Sequence, residues 1–349
     1  MITLAKQTPE RAWLSEVSAV VLQQSLADLE RAYRNYFRAV AEGKAARARG
    51  EPATLRVSKP RFKAKHHDQA IRFTRNSRFR IRPDGRLSLP KIGAVRVRWS
   101  RLLPANPSSV TVTLDGAGRY HASFVVEVAR QPLSPAGRAV GVDLGLTSFA
   151  VLSTGEQVAN PRWLRQREQA LRRSQRAFSR KQPGSNNRDQ ARLRLAKQHA
   201  RVADARRDFH QQLSTRLIRE NQTVCVETLN VAGLGRSKLA KSVRDAGWGQ
   251  FTAMLAYKAD LYGRALVRVD RWFPSSQLCS ACGHRAGPKP LKVRSWTCPG
   301  CGGAHDRDLN ASKNILGAGL ALAACGVGVR PGATPAVDAE AGTALAGAA

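Results

Sequence analysis

Two Cys-x-x-Cys pairs, Cys279/Cys282 and Cys298/Cys301, stand 15 residues apart and constrain this chain more than any other feature. Gly283 and Gly302 follow the pairs, which lets the backbone turn tightly enough for two thiolates to face one ion. That spacing suits a four-cysteine tetrahedral site for one structural Zn²⁺, each pair forming a knuckle and the loop between them closing over the metal. The competing reading is a pair of disulfides or unrelated core cysteines. No secretory signal is visible, so a cytosolic thiol pool and metal binding are expected instead. Shortly after the last cysteine comes His305-Asp306-Arg307-Asp308-Leu309-Asn310, then an apolar run suited to a helix. A carboxylate at the mouth of a helix, beside a rigid metal knuckle, is a fixed point on which chemistry can be built.

The charge balance names a class of partner. With 58 Lys and Arg against 25 Asp and Glu in 349 residues, the net charge is +33, and self-repulsion of that size calls for a polyanion. Nucleic acid is the first candidate and an acidic membrane surface the second. No apolar run reaches the ~18 residues of a membrane span, so an integral membrane protein is not expected. The two cysteines outside the pairs, Cys225 and Cys325, sit among apolar neighbours and are expected as core filler.

Taken in order, residues 1–50 carry Trp13, Val17, Val20, Val21, Leu26, Leu29, Tyr33 and Phe37 near helical spacing, which predicts two helices or one long one. Residues 51–130 are predicted as a basic β-barrel. Residues 41–101 hold 18 Lys and Arg against 4 acids, and basic and apolar residues alternate through Ile71-Arg72-Phe73-Thr74-Arg75 and Arg78-Phe79-Arg80-Ile81-Arg82. Phe73, Phe79 and Ile81 are expected to pack, while Lys59, Arg61, Lys63, Lys65, Arg72 and Arg75 face phosphates. A hairpin from Ser109 to Val126 turns at Asp115-Gly116-Ala117-Gly118. Several short strands with a cationic face suggest a small barrel of the oligonucleotide-binding sort. Residues 131–138, with Pro132 and Pro135, are the linker.

Residues 139–278 open on Ala139-Val140-Gly141-Val142-Asp143-Leu144-Gly145, an apolar strand that ends on a carboxylate, and two further strands follow as a meander. Residues 161–220 carry 17 Lys and Arg against 5 acids and a stripe through Leu164, Leu171, Phe178, Leu195, Val202, Phe209, Leu213 and Leu217. They are predicted as an antiparallel helical hairpin whose Arg172, Arg173 and Arg176 contact nucleic acid. Thr223-Val224-Cys225-Val226-Glu227 is a second buried strand that finishes on an acid. A charge after Val-Cys-Val is costly unless paired or metal-bound, which makes Glu227 the companion of Asp143. After a helix, a last strand and the ribbon at 279–301, Asp308 heads the final segment, 302–325. Residues 326–349, rich in Gly and Ala without aromatics, are expected as a disordered tail. A sheet of this order brings its first and fourth strands side by side, and the final helix can lay Asp308 across them. Two Mg²⁺ ions about 4 Å apart would satisfy three converging carboxylates and equip them to cut a phosphodiester.

These residues resemble the RuvC-type nuclease core of the RNase H-like fold, and most closely the TnpB (OrfB) proteins of insertion sequences, relatives of the type V CRISPR effectors. The resemblance rests on Gly141-Val142-Asp143-Leu144-Gly145, Val226-Glu227-Thr228-Leu229-Asn230, Asp245-Ala246-Gly247-Trp248-Gly249 and Val269-Asp270-Arg271-Trp272-Phe273-Pro274-Ser275-Ser276. It continues through the four cysteines and Asp306-Arg307-Asp308-Leu309-Asn310-Ala311. It implies an α/β plus β architecture: an RNase H-like (RuvC) domain with an inserted zinc ribbon, preceded by helices and a small oligonucleotide-binding-like β-barrel. It places the catalytic acids on Asp143, Glu227 and Asp308, with Asp306 as the rival for the third place.

The activity so implied is RNA-guided, Mg-dependent cleavage of DNA. A guide RNA from the element's own end and a target duplex are the partners, in a bacterial or archaeal cytoplasm near the nucleoid. Family members usually begin with a further barrel strand and helices ahead of the part that matches this chain, which implies a misplaced start or a truncated copy. Two other classes stay in play: a non-cleaving binder that regulates its element, and a DNA-joining transposase.

Overall fold

The computed structural model describes residues 2–51, 57–61, 69–290, 292–325 and 343–345. The chain divides into two units, Met1–Val128 with Pro335–Ala349, and Ala129–Thr334.

In the first unit a short helix α1 (Ile2–Ala5) and a 3-10 turn (Pro9–Ser15) lead into one 30-residue helix, α2 (Ala19–Ala48). Strands β1 (Gln69–Thr74), β2 (Arg80–Ile81), β3 (Leu87–Leu89), β4 (Gly93–Val95), β5 (Ser109–Leu114) and β6 (Tyr120–Val125) follow. Their alternating residues bury Phe73, Leu87, Leu89, Val110, Val112, Ala122 and Phe124 in one core, with Val21 of α2 joining them. The expected barrel takes the form of two separately hydrogen-bonded sheets, β1-β5-β6 and β2-β3-β4. Pro83 and Pro90 flank β2 and β3, and a residue without an N–H cannot continue a ladder, so these strands stay two or three residues long. Phe73 packs as expected at 1% exposure, whereas Ile81 stands 39% exposed on its two-residue strand. Of residues 326–349, expected as a disordered tail, Thr343–Leu345 form a strand antiparallel to β6, and the others lie outside the described residues. Without that strand, β6 would be an open edge.

The second unit is built on a five-stranded mixed sheet. Strands β7 (Ala139–Leu144), β8 (Ser148–Leu152) and β9 (Gln157–Ala159) form the expected meander. Helices α3 (Trp163–Gln166), α4 (Glu168–Ser179) and α5 (Asn186–Glu220) make the charged hairpin, whose return begins where Ser185 caps α5 by accepting from the Arg188 N–H at 3.2 Å. Then come β10 (Thr223–Glu227), α6 (Val231–Leu234), α7 (Ala240–Ala246), α8 (Trp248–Tyr262) and β11 (Ala265–Val269). The strand order is β11-β10-β7-β8-β9, with β10 parallel to both β7 and β11, so the first and fourth strands of this unit do lie side by side.

Central strands covered on both faces must be apolar on both faces, and β7 and β10 are nearly so. Val140, Val142, Leu144, Val224 and Val226 pack with Leu213, Leu217, Phe251 and Leu255 from α5 and α8. The opposite face of the sheet is covered too: Cys225 of β10, with Val267 and Val269 of β11, meets Ile315 of the last helix, α9 (Arg307–Ala324). Two Cβ-less positions let α9 settle this close. A Cβ on Gly141 would collide with the Ser312 carbonyl and come 2.8 Å from the Leu316 nitrogen, and one on Gly319 would sit 2.6 Å from the Cys225 Cβ.

Candidate active site and metal centre

Side chains alternate along a strand, so Asp143 shares the face of Gly141, and Glu227 shares that of Cys225. Both therefore lie on the side that α9 covers. Val142 pairs with Val226 in register, which sets the two acids at the same height, at the C-terminal ends of adjacent parallel strands. Their carboxyl groups lie within hydrogen-bonding reach of each other, so a proton held by the pair can be shared between them. Burial, then the charges of Glu227 and Asp308, push Asp143 well above the usual carboxylate range. Burial pushes Glu227 up to about 7, against the pull of a hydrogen bond from the Leu144 N–H. Two neighbouring acids that cannot both ionise hold one proton between them until a cation replaces it.

The third acid comes from α9. Asp306 is its N-cap, with Oδ1 accepting from the Leu309 N–H at 2.8 Å, so that carboxylate is already committed. Asp308, one step into the helix, is the group whose charge reaches Asp143. Its Oδ2 accepts from Arg294 Nη1 at 3.1 Å, and Nη2 of the same guanidinium donates to Thr147 Oγ1 at 3.2 Å. Arg294 thus ties the loop after β7 to α9. Sequence reasoning passed over it because its partners lie 147 and 14 positions away.

The four cysteines converge as their spacing requires. Among the described residues they are the one group of three or more metal-binding side chains whose ligand atoms all lie within 4.8 Å of each other; the three carboxylates do not close to that spacing. The Cys279–Cys301 and Cys282–Cys298 sulfur separations are both 3.7 Å. A tetrahedron with Zn–S bonds near 2.3 Å has an edge of about 3.8 Å, so the thiols fit a zinc ion. Gly283 and Gly302 turn the knuckles with φ of +74° and +70°, and each N–H bonds back to the carbonyl of the pair's first cysteine. His305 Nε2 lies 3.1 Å from Cys279 Sγ, beside Trp296.

Two asparagines one helical turn apart fasten this centre to α9. Asn310 is 1% exposed, accepts from the Ser280 N–H at 2.8 Å and donates to the Leu278 carbonyl at 2.7 Å. Asn314 donates to the Ser275 and Leu278 carbonyls, both at 2.8 Å. Four hydrogen bonds thus tie the four-cysteine knuckle to the helix that carries Asp308.

The remaining sequence candidates divide. Lys59, Arg61, Arg75, Arg172, Arg173 and Arg176 are exposed, and Arg72 is half-buried near Asp28. Arg172 pairs with Glu168, while the Arg173 and Arg176 side chains make no hydrogen bond or ion pair among the described residues. Lys63 and Lys65 lie outside the described residues. Cys225 is buried, which pushes its thiol up to about 11 and leaves it inert. Cys325 is not core filler: it sits exposed at the C-cap of α9. Trp272, present in the sequence motif but given no role there, is 77% exposed with the Arg271 guanidinium 4.5 Å over its ring. No helix among the described residues is long and apolar enough to cross a membrane.

A family model described as a probable transposase (OrfB_IS605) matches residues 123–238, and a Cas12f1-like TNB domain model matches residues 248–315. A Streptomyces pristinaespiralis protein named "Putative RNA-guided DNA endonuclease" is 46% identical over 95% of this chain and 79% of its own length. The chain belongs to the TnpB family. The TnpB relative named "Putative RNA-guided DNA endonuclease InsQ" from Escherichia coli K12 is 30% identical over 94% of this chain and 81% of its own. A solved Cas12f1–sgRNA–target DNA complex aligns with a TM-score of 0.45 at 14% identity, over 71% of this chain and 59% of that one. Membership makes this TnpB chain a relative of the type V effectors.

Proposed function

We propose that this chain is an RNA-guided DNA endonuclease in which Asp143, Glu227 and Asp308 hold the divalent ions for phosphodiester hydrolysis. The observation that carries this is the pairing of two half-buried acids at the ends of adjacent parallel strands, within reach of the charge of a third acid on α9. The names of the TnpB relatives support the same reading. Two Mg²⁺ ions, when bound, supply an activated water and a counter-charge for the leaving oxygen. The chain does the rest. Strand ends fix Asp143 and Glu227, the Leu144 N–H orients Glu227, and Arg294 holds Asp308 at the near end of α9. Lys59, Arg61, Lys63, Lys65, Arg72 and Arg75, with Arg172, Arg173 and Arg176 of α4, neutralise phosphates of guide RNA and target DNA while base pairing selects the sequence. Cys279, Cys282, Cys298 and Cys301 hold one structural zinc.

The full chain, purified with RNA transcribed from the DNA flanking its gene, is expected to cut a plasmid library in Mg²⁺ and to stop in EDTA. Glu227→Gln is expected to bind with wild-type salt dependence and not cut. Tight, salt-sensitive binding with no cutting by the wild type would make the chain a non-cleaving binder, and joined products would make it a transposase. Metal analysis is expected to find about one zinc per chain. Cys298→Ser is expected to lose that zinc and also the cutting, because Asn310 and Asn314 bind α9 to the same knuckle.

A further inference from the structure

A cavity of about 180 Å³ opens in the second unit, and nothing in the proposed reaction uses it. Segments far apart in sequence converge on it: Leu146 and Thr147 after β7, Arg162 and Arg165 at α3, and Lys241 and Asp245 of α7. Three cations face one acid, and that acid is occupied, since Asp245 Oδ1 accepts from the Leu164 N–H at 2.9 Å. Arg162 Nη2 points at the Leu146 carbonyl 3.4 Å away, and Lys241 Nζ lies 2.5 Å from Glu168. The Arg165 side chain is exposed and has no hydrogen bond or ion pair among the described residues. All three cations line this one concavity, and of them Arg165 keeps its guanidinium donors unused among the described residues. A cavity of about 150 Å³ takes a benzene molecule, so this one has room for a phosphate group.

We propose that the cavity seats a backbone phosphate of the DNA strand held at the acid site, with Arg165 as its principal ligand. The inference rests on the function proposed above, and the position of the cavity ties it to that strand. Leu146 is three residues past Asp143, so their Cα atoms are within about 11 Å of each other. Thr147, which lines the cavity, shares the Arg294 guanidinium with Asp308. The phosphate seated in the cavity therefore belongs to a nucleotide near the one being cut. Arginine suits the task because its fork can give two parallel hydrogen bonds to phosphate oxygens.

The test is equilibrium binding of a short labelled oligodeoxythymidine to the full chain across a salt series in EDTA. It needs no cleavage, so it stands or falls separately from the nuclease assignment. Arg165→Ala is expected to lower the slope of log K against log salt by about 0.7, the value of one phosphate on a single strand. Arg165→Lys is expected to keep most of that slope, and Arg219→Ala, an exposed arginine in the last turn of α5, to leave it unchanged. The wild-type slope in Arg165→Ala, or an equal loss in Arg219→Ala, would overturn the proposal. A loss seen with oligouridine but not with oligodeoxythymidine would move the site to the guide and overturn its assignment to the cut strand.

Discussion

Replacing Asp143 by Asn is expected to abolish cleavage and, in the same protein, to raise the melting temperature of the metal-free chain. The first effect follows from the role proposed for Asp143 as a metal ligand with Glu227 and Asp308, and a loss of roughly a thousandfold or more is expected. The second follows from what burial does to the pair. A carboxylate whose folded pKa lies above its unfolded one stabilises fully below the unfolded value and loses that contribution as pH rises through the folded value. For Glu227 the window runs from the ordinary carboxylate range up to about 7, with Asp143 also displaced upward, first by burial. The metal-free wild type is therefore expected to be more stable at pH 5.5 than at pH 8, by an amount on the order of 2 kcal/mol. Asn at 143 removes one of the two competing charges, so its advantage should be largest at pH 8 and fade towards pH 5.5. Mg²⁺ should stabilise the wild type and do little for the variant. Melting curves in EDTA and in Mg²⁺ at both pH values measure all of this, and an Asp143→Asn protein no more stable than wild type at pH 8 in EDTA would count against the shared-proton picture.

Gly141→Ala is expected to be among the most damaging single-methyl changes in the chain. The added Cβ meets the Ser312 carbonyl, the Leu316 nitrogen at 2.8 Å and the Leu316 Cβ at 2.9 Å. Two of those three are helix backbone, which cannot swing aside as a side-chain tip can. Either α9 lifts off the sheet, or β7 buckles. Overpacking of this kind costs about 1–3 kcal/mol and sometimes more. Because Asp308 rides on α9, cleavage should fall further than stability alone explains. Gly317→Ala is the matched control on the same helix. Nothing lies within 4 Å of a Cβ there, so that change is expected to stabilise by up to about 1 kcal/mol through helix propensity. Denaturant titration of both variants beside a cleavage assay decides the matter. If Gly141→Ala and Gly317→Ala unfold at the same denaturant concentration, α9 is not seated as described.

Much of the second unit was legible because its signals are local and physical. Apolar runs ending on Asp143 and Glu227 mark buried strands that stop at a charge, and the cysteine spacing encodes a knuckle without reference to anything else. The charged hairpin announced itself by a stripe and by the helix-breaking run Gln182-Pro183-Gly184-Ser185-Asn186-Asn187, of which Asn186 and Asn187 already belong to α5. What escaped was set by contacts between distant segments. Nothing near Arg294 in sequence says that its guanidinium will bridge Thr147 and Asp308, and Asn314 looks like any polar helix residue until it meets the Leu278 carbonyl. Asp306, the rival of Asp308 for the third place, turns out to cap α9, which no local pattern announced. In the first unit, alternation of basic and apolar residues identified strands but not how they pair. Ladders of two or three residues leave too little pattern to tell one closed barrel from two sheets.

The strand order has a consequence for how this protein is made. β7 occupies the middle of its sheet yet leaves the ribosome before the strand that will cover its open side. The meander β7–β8–β9 must wait, one edge bare, while the whole of α4 and α5 is translated ahead of Thr223. A bare edge invites pairing between neighbouring nascent chains on a polysome. The segment that emerges during the wait is among the most arginine-rich in the chain, and like charge of that density repels its copies on neighbouring chains.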